Sequence, residues 1–297
     1  MAQARYESAA DGFDARVAQS WTEEKLIILE SYLDAFADAT KGAGGWYALD
    51  LFAGPGLNWS EIRNAERDSS PIIALKAGKP QAIQVVAAES HPKAFQALRH
   101  RTAAYRDRIR LFNGDANELI SQMLASIPKK APTFAFLDPE GSELDWQTIK
   151  AVSDHKRGHS PNKIEQLILF PTDTGFMRLT PDYPDKVTRI FGHEEWRPIY
   201  ERRQAGNSTP DQARTEYVAL YGEGLRSLGY ATVLDRQILK SNGQPMYFLI
   251  FASDHPAGEK IMDHCFDQSR VRVVEELGQG QLFPVKEAPR RKRLSNG

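Results

Sequence analysis

The sequence predicts an α/β fold: a doubly wound, Rossmann-like sheet of seven strands, mostly parallel, with an antiparallel C-terminal hairpin. Three observations lead there. Short apolar, β-rich runs alternate with helical patterns as far as Phe170, as buried parallel strands and crossover helices do. Three successive runs end close to an acid, at Asp50, Glu89 and Asp115. Two later runs, Ala231 to Leu239 and Pro245 to Ala252, are separated by an Asn-Gly turn signal.

In chain order, Trp21 to Phe36 places Leu26, Ile27, Leu29, Leu33 and Phe36 on a helical face suited to the sheet or to capping a pocket. The parallel strands are Tyr47 to Phe52, Ile83 to Ala88, Ile109 to Phe112, Thr133 to Leu137 and Gln166 to Phe170. Helices are expected at Pro71 to Ala77 after a Ser70 cap, Pro92 to Tyr105, Ala116 to Ile127, Asp145 to Ser153 and Asp211 to Leu228. Pro245 can begin a strand but cannot sit inside a central one. The domain plan is a helical extension over 1–40, a core over 41–285 with insertions at 57–69 and 171–210, and a basic flexible tail over 286–297.

A chain of 297 residues can bury roughly three quarters of its unfolded surface, so disulfides and structural metals are not needed. Cys265 is alone, which excludes an internal disulfide and a multi-thiolate metal site. With 38 basic and 39 acidic side chains the formal charge is −1, so nucleic-acid binding would need a local patch. No apolar run approaches the roughly 20 residues that span a bilayer, and the N-terminal stretch lacks a signal-peptide core. A cytoplasmic protein with no membrane partner is expected.

The chemistry-bearing residues cluster at strand ends. Asp50-Leu51-Phe52-Ala53-Gly54-Pro55-Gly56 closes the first strand, where an open α/β sheet receives its ligand. The two glycines let backbone approach a ligand, and Asp50 can hold an ammonium or a hydroxyl. A pyrophosphate fingerprint needs a third glycine opening a helix, whereas Leu57-Asn58-Trp59-Ser60 follows. The pattern instead fits the first motif of S-adenosylmethionine (SAM) enzymes, whose ligand has no phosphates. Glu89, followed by Ser90, suits both ribose hydroxyls, and lies 39 residues beyond Asp50 because residues 57–69 interrupt the crossover. That insertion is read as a lid or as a surface loop. Asp115 and Ala116 open a helix; Asp115 fits either the adenine amino group or an N-cap.

The fourth strand ends in Asp138-Pro139-Glu140-Gly141. In enzymes that methylate amines, an Asp or Asn followed by Pro at this position takes hydrogen bonds from the acceptor amine. Asp138 and Pro139 are therefore the catalytic candidates, with Gly141, Trp146 and Arg178 toward substrate. Trp146 offers a stacking face or a core tryptophan, and Arg178 a phosphate contact or a surface ion pair. Lys93, Arg99, Arg101, Arg106, Arg108 and Arg110 form a phosphate-binding face or a solvated one. His155 and His159 flank Gly158 in a loop, so no metal site is expected.

Seven strands closed by such a hairpin resemble the class I methyltransferases. More closely, the Trp21 and Lys25 helix, Asp50 through Gly56, Ser70-Pro71 with Ala74-Leu75, Gly114-Asp115-Ala116-Asn117 and Phe136-Leu137-Asp138-Pro139 with Gly141 and Trp146 resemble the three-Cys-motif partner proteins, TcmP. The resemblance implies a methyltransferase-like fold, SAM as cofactor, and a separate partner with a three-cysteine motif of the kind that ligates a radical-SAM cluster. Members usually carry an aromatic after Asp-Pro, and here Glu140 replaces it. Asp-Pro-x-Gly-Ser also resembles a turn of tRNA guanine-N2 dimethyltransferases, which points to an exocyclic amine of a nucleobase. Two functions follow: SAM-dependent methylation of an amino group on a nucleobase, or a non-catalytic SAM-binding subunit that serves the three-cysteine protein.

Overall fold

Side chains of successive strand residues point to opposite faces, and both faces of the central sheet are apolar. The computed structural model describes residues 5–78, 83–172 and 183–277. Its strands are β1 Tyr6–Ser8, β2 Asp14–Ala18, β3 Trp46–Asp50, β4 Leu57–Ser60, β5 Ala65–Asp68, β6 Ile83–Glu89, β7 Ile109–Asn113, β8 Thr133–Leu137, β9 Glu165–Phe170, β10 Thr232–Leu239 and β11 Pro245–Ser253. Its helices are α1 Ser20–Thr40, α2 Ser70–Lys76, α3 Pro92–Arg101, α4 Ala116–Ala125, α5 Trp146–Asp154, α6 Pro184–Phe191, α7 Arg197–Gln204, α8 Pro210–Ser227 and α9 Pro256–Leu277.

The central sheet has seven strands in the order β10-β11-β9-β8-β3-β6-β7. Five run parallel, and β11 enters antiparallel to β9, with Ile250 opposite Ile168. β10 then pairs antiparallel with β11. This is the doubly wound sheet with an antiparallel terminal hairpin that the sequence predicts. On one face Leu49, Val86, Ala135, Ile168 and Ile250 pack under α4 to α8. On the other Ala48, Val85, Phe134, Leu167 and Leu249 pack under α1, α2, α3 and α9. The expected strands all form, with ends shifted by one or two residues; Leu51 and Phe52 belong to the loop rather than to β3.

The helical extension expected over 1–40 also contains β1 and β2. The insertion at 57–69 is neither a coil nor a detached loop: it folds into the β4–β5 hairpin, and β4 pairs in parallel with β2, Arg16 opposite Asn58. Together they make a second, four-stranded sheet in the order β1-β2-β4-β5. Glu23, fully buried on α1, receives Arg63 Nε at 2.9 Å and Arg67 from this hairpin. Two cations around one buried carboxylate fix the hairpin to the helix.

Arg101 at the end of α3 holds the other side. Its guanidinium reaches Asp11 at 2.8 and 2.9 Å, Phe13 O at 3.3 Å, Asp14 O at 3.0 Å and Pro55 O at 2.8 Å. Of the basic residues expected to face phosphate, Arg101 is thus a structural clasp. Cys265 is buried, and burial pushes its thiol up to about 11. No helix among the described residues is long and apolar enough to cross a membrane. The basic tail lies outside the described residues.

Candidate functional site

A cleft opens at the carboxyl end of β3 and β8. Its walls are Phe52, Ala53, Gly54 and Pro55 after β3, Asp138, Pro139 and Glu140 after β8, and Trp21, Thr22, Lys25 and Leu26 on α1. Arg16 and Val17 on β2, Asn58 on β4, Ser69 and Ser70 at the start of α2, Leu169 and Pro171 at the end of β9, and Met246 and Tyr247 on β11 complete it. The empty space is about 800 Å³, part of it open to solvent. The fold thus joins the two sequence motifs, 80 or so residues apart, because β3 and β8 are adjacent strands.

The loop after β3 is shaped by left-handed glycines. Gly54 has φ 63° and Gly56 φ 85°, values open to few residues with a Cβ. A Cβ on Gly54 would meet nothing within 4 Å, so open space lies beside it, whereas one on Gly56 would approach Leu98 at 3.2 Å. The Gly54 amide donates to Glu89 Oε2 at 2.8 Å, and the His91 amide to Glu89 Oε1 at 2.6 Å. Glu89 therefore ties the glycine loop to the end of β6. Burial raises its carboxyl, and the His91 and Gly54 amides pull it back.

Asp50 sits just behind this wall, 3 % exposed. Oδ1 accepts from the Phe52 amide at 3.2 Å, while Oδ2 is buried with no hydrogen-bond partner among the described residues. Burial pushes this carboxyl up to about 7, with Ser70 and the Phe52 amide opposing the rise. A buried carboxyl with so few donors is unfavourable and marks a place for a further one.

Across the cleft, Asp138 Oδ2 contacts Lys25 Nζ, and the two side chains are 12 % and 8 % exposed. Burial draws the Lys25 ammonium below its usual range, and Asp138 pulls it back up. Arg16 Nη1 lies 3.2 Å from Glu140 Oε1. Each acid of the Asp138-Pro139-Glu140 turn is thus matched by a cation from the N-terminal 40 residues. Sequence reasoning did not assign Lys25 or Arg16 to the site. The one available signal was the pairing of Trp21 and Lys25 one helical turn apart.

Of the other expected site residues, Asp50, Gly56, Glu89, Ser90, Asp115 and Ala116 are not among those that line the cleft. Asp115 is the N-cap of α4, and its Oδ1 accepts from the Asn117 amide at 2.7 Å. The Gly141 amide is turned onto Glu143 Oε2 at 2.6 Å. Trp146, expected toward substrate, is a packing residue: its ring meets Tyr221 edge-on at 5.1 Å and fills space left by two glycines. A Cβ on Gly192 or Gly224 would come within 2.3 or 2.8 Å of it. Arg178 lies outside the described residues.

No protein-family profile matches this chain, and no curated protein does. Among solved structures, protein LPL1258 from Legionella pneumophila (family-model DUF519) aligns over 87 % of this chain and 94 % of its own, with 10 % identity and a TM-score of 0.52. An O-methyltransferase from Bacillus cereus in complex with SAH aligns over 74 % of this chain and 79 % of its own, at 15 % identity and TM-score 0.41. TYW2 of M. jannaschii in complex with AdoMet aligns over 84 % and 85 %, at 12 % identity and TM-score 0.38. The Legionella protein carries the likeness, and the likeness is one of fold.

Proposed function

We propose that this chain is a SAM-dependent methyltransferase whose acceptor is an amino group, in particular the exocyclic amine of a nucleobase. The observation that carries the reading is Asp50, a carboxyl buried beneath the glycine loop with only the Ser70 hydroxyl and the Phe52 amide as donors, at the same end of the sheet as Asp138-Pro139. An ammonium such as that of the methionine part of SAM supplies a further donor and a countercharge. Glu89 keeps free lone pairs on both oxygens for ribose hydroxyls, since each takes one backbone amide. In this reading Asp115 and Ala116 meet the adenine, and the ligand runs along Phe52 to Gly56 past the open space beside Gly54.

Bound SAM supplies an electrophilic methyl on a sulfonium, so the protein's own task is positioning. Asp138 and the carbonyls of its Pro-fixed turn accept from the two N–H groups of the acceptor and aim the nitrogen lone pair. Lys25 on Oδ2 stops the carboxylate from rotating and leaves Oδ1 for that contact. The TcmP resemblance adds a three-cysteine protein as partner to this reading.

The test joins binding to turnover. SAM near a hundred times its dissociation constant adds roughly 2.7 kcal/mol, a shift of several degrees in a melting curve, and NAD adds none. Asp138→Ala abolishes methyl transfer in a radiolabelled screen over tRNA, DNA and protein while SAM binding persists. A preserved transfer rate overturns the role of Asp138. A second reading, the non-catalytic SAM-binding subunit, is favoured by the Lys25 contact that already engages Asp138. Under it, wild type binds SAM without methylating any substrate, and Asp138→Ala leaves the three-cysteine partner's activity unchanged.

A further inference from the structure

Ser69 is in the N-cap position of α2 but does not cap it: its side chain makes no capping hydrogen bond. An N-cap serine ordinarily accepts from the first turn of its helix. Here the hydroxyl is buried, with no partner among the described residues, and the residue lines the cleft at 6 % exposure. Asn58, 5 % exposed, lines the same cleft from β4, opposite Arg67 of the hairpin. Lys25, 7 % exposed, adds an ammonium with three N–H donors, of which Asp138 takes one. A hydroxyl, an amide and an ammonium therefore line one cleft. All three can donate, and two of them come from the inserted 57–69 segment and its junction with α2.

We propose that Ser69, Asn58 and Lys25 form a carboxylate subsite, and that its occupant is the α-carboxylate of the methionine part of SAM. This rests on the SAM reading above and deepens it. Asp50 and the donor trio then divide a zwitterion between them, the acid meeting the ammonium and the donors the carboxylate. The inserted hairpin is a cofactor-binding element, held in register by β2 and clamped to Glu23 by Arg63 and Arg67.

The experiment compares SAM with decarboxylated SAM, which keeps the nucleoside, sulfonium and amine and lacks only the carboxylate. Titration calorimetry on the full-length protein gives the wild type a preference for SAM of roughly ten-fold or more, the size of a hydrogen-bonded charge. Ser69→Ala loses most of that preference, and its affinity for decarboxylated SAM is unchanged. Asn58→Asp, which places an acid among the donors, inverts the preference; it keeps the inference testable if one variant folds poorly. Equal affinity of the wild type for the two ligands overturns the subsite. So does a parallel loss of both ligands in Ser69→Ala, since that is a structural effect. If neither ligand binds the wild type, the SAM reading itself falls, a result distinct from binding without discrimination.

Discussion

Replacing Lys25 by methionine tests whether the acceptor side of the cleft is organised around one buried ion pair. The substitution keeps the length of the stem and removes the charge, which lies over the Tyr247 ring, leaving Asp138, 12 % exposed, without its cation. Removing one member of a buried pair costs about 3–5 kcal/mol, because the remaining charge is stranded. At about 2 °C per kcal/mol for a chain of this size, melting falls by roughly 6–10 °C. The pair itself is not a net source of stability, since burial lowers the Lys25 ammonium in spite of the neighbouring carboxylate. The double variant Lys25→Met/Asp138→Asn therefore recovers most of the loss, as neutral replacements of buried pairs do. Urea denaturation of wild type, both single variants and the double variant gives the coupling energy. If the double variant is as unstable as the two single losses added together, or if Lys25→Met loses less than about 1 kcal/mol, the reasoning fails.

Asp50 makes stability depend on pH with an unusual sign. Its native carboxyl is raised to about 7 from 3.8, so between these values the native state holds a proton that the unfolded chain has released. Stability therefore falls as pH rises from about 4 to about 7 and levels off above, by at most roughly 4 kcal/mol at about 1.4 kcal/mol per unit. Asp50→Asn flattens this profile; equal pH profiles in urea for variant and wild type refute the assignment. Trp146→Ala costs roughly 3–5 kcal/mol by opening a cavity between Gly192 and Gly224, with SAM affinity unchanged by calorimetry. Lost ligand binding with stability retained would return Trp146 to the site.

The strands were legible because each is a short apolar run bounded by turn residues, and their alternating faces meet helices on both sides of the sheet. The Asp50 to Gly56 turn was legible for a local reason as well: glycine at φ 63° and 85° is a backbone requirement written in two residues. Trp146 was ambiguous because a large aromatic packs a core or stacks on a ligand with the same side chain. Gly192 and Gly224, which settle it, are 46 and 78 residues away.

By itself the sequence determined the seven strands of the doubly wound sheet, its terminal hairpin and the acidic ends of β3 and β8. Only the tertiary structure decided that the N-terminal 40 residues and the 57–69 insertion build part of the cleft wall. Arg16 meets Glu140 across 124 positions and Lys25 meets Asp138 across 113. Neither contact has a periodicity or a motif, because a salt bridge between distant segments requires only that folding bring two opposite charges within reach.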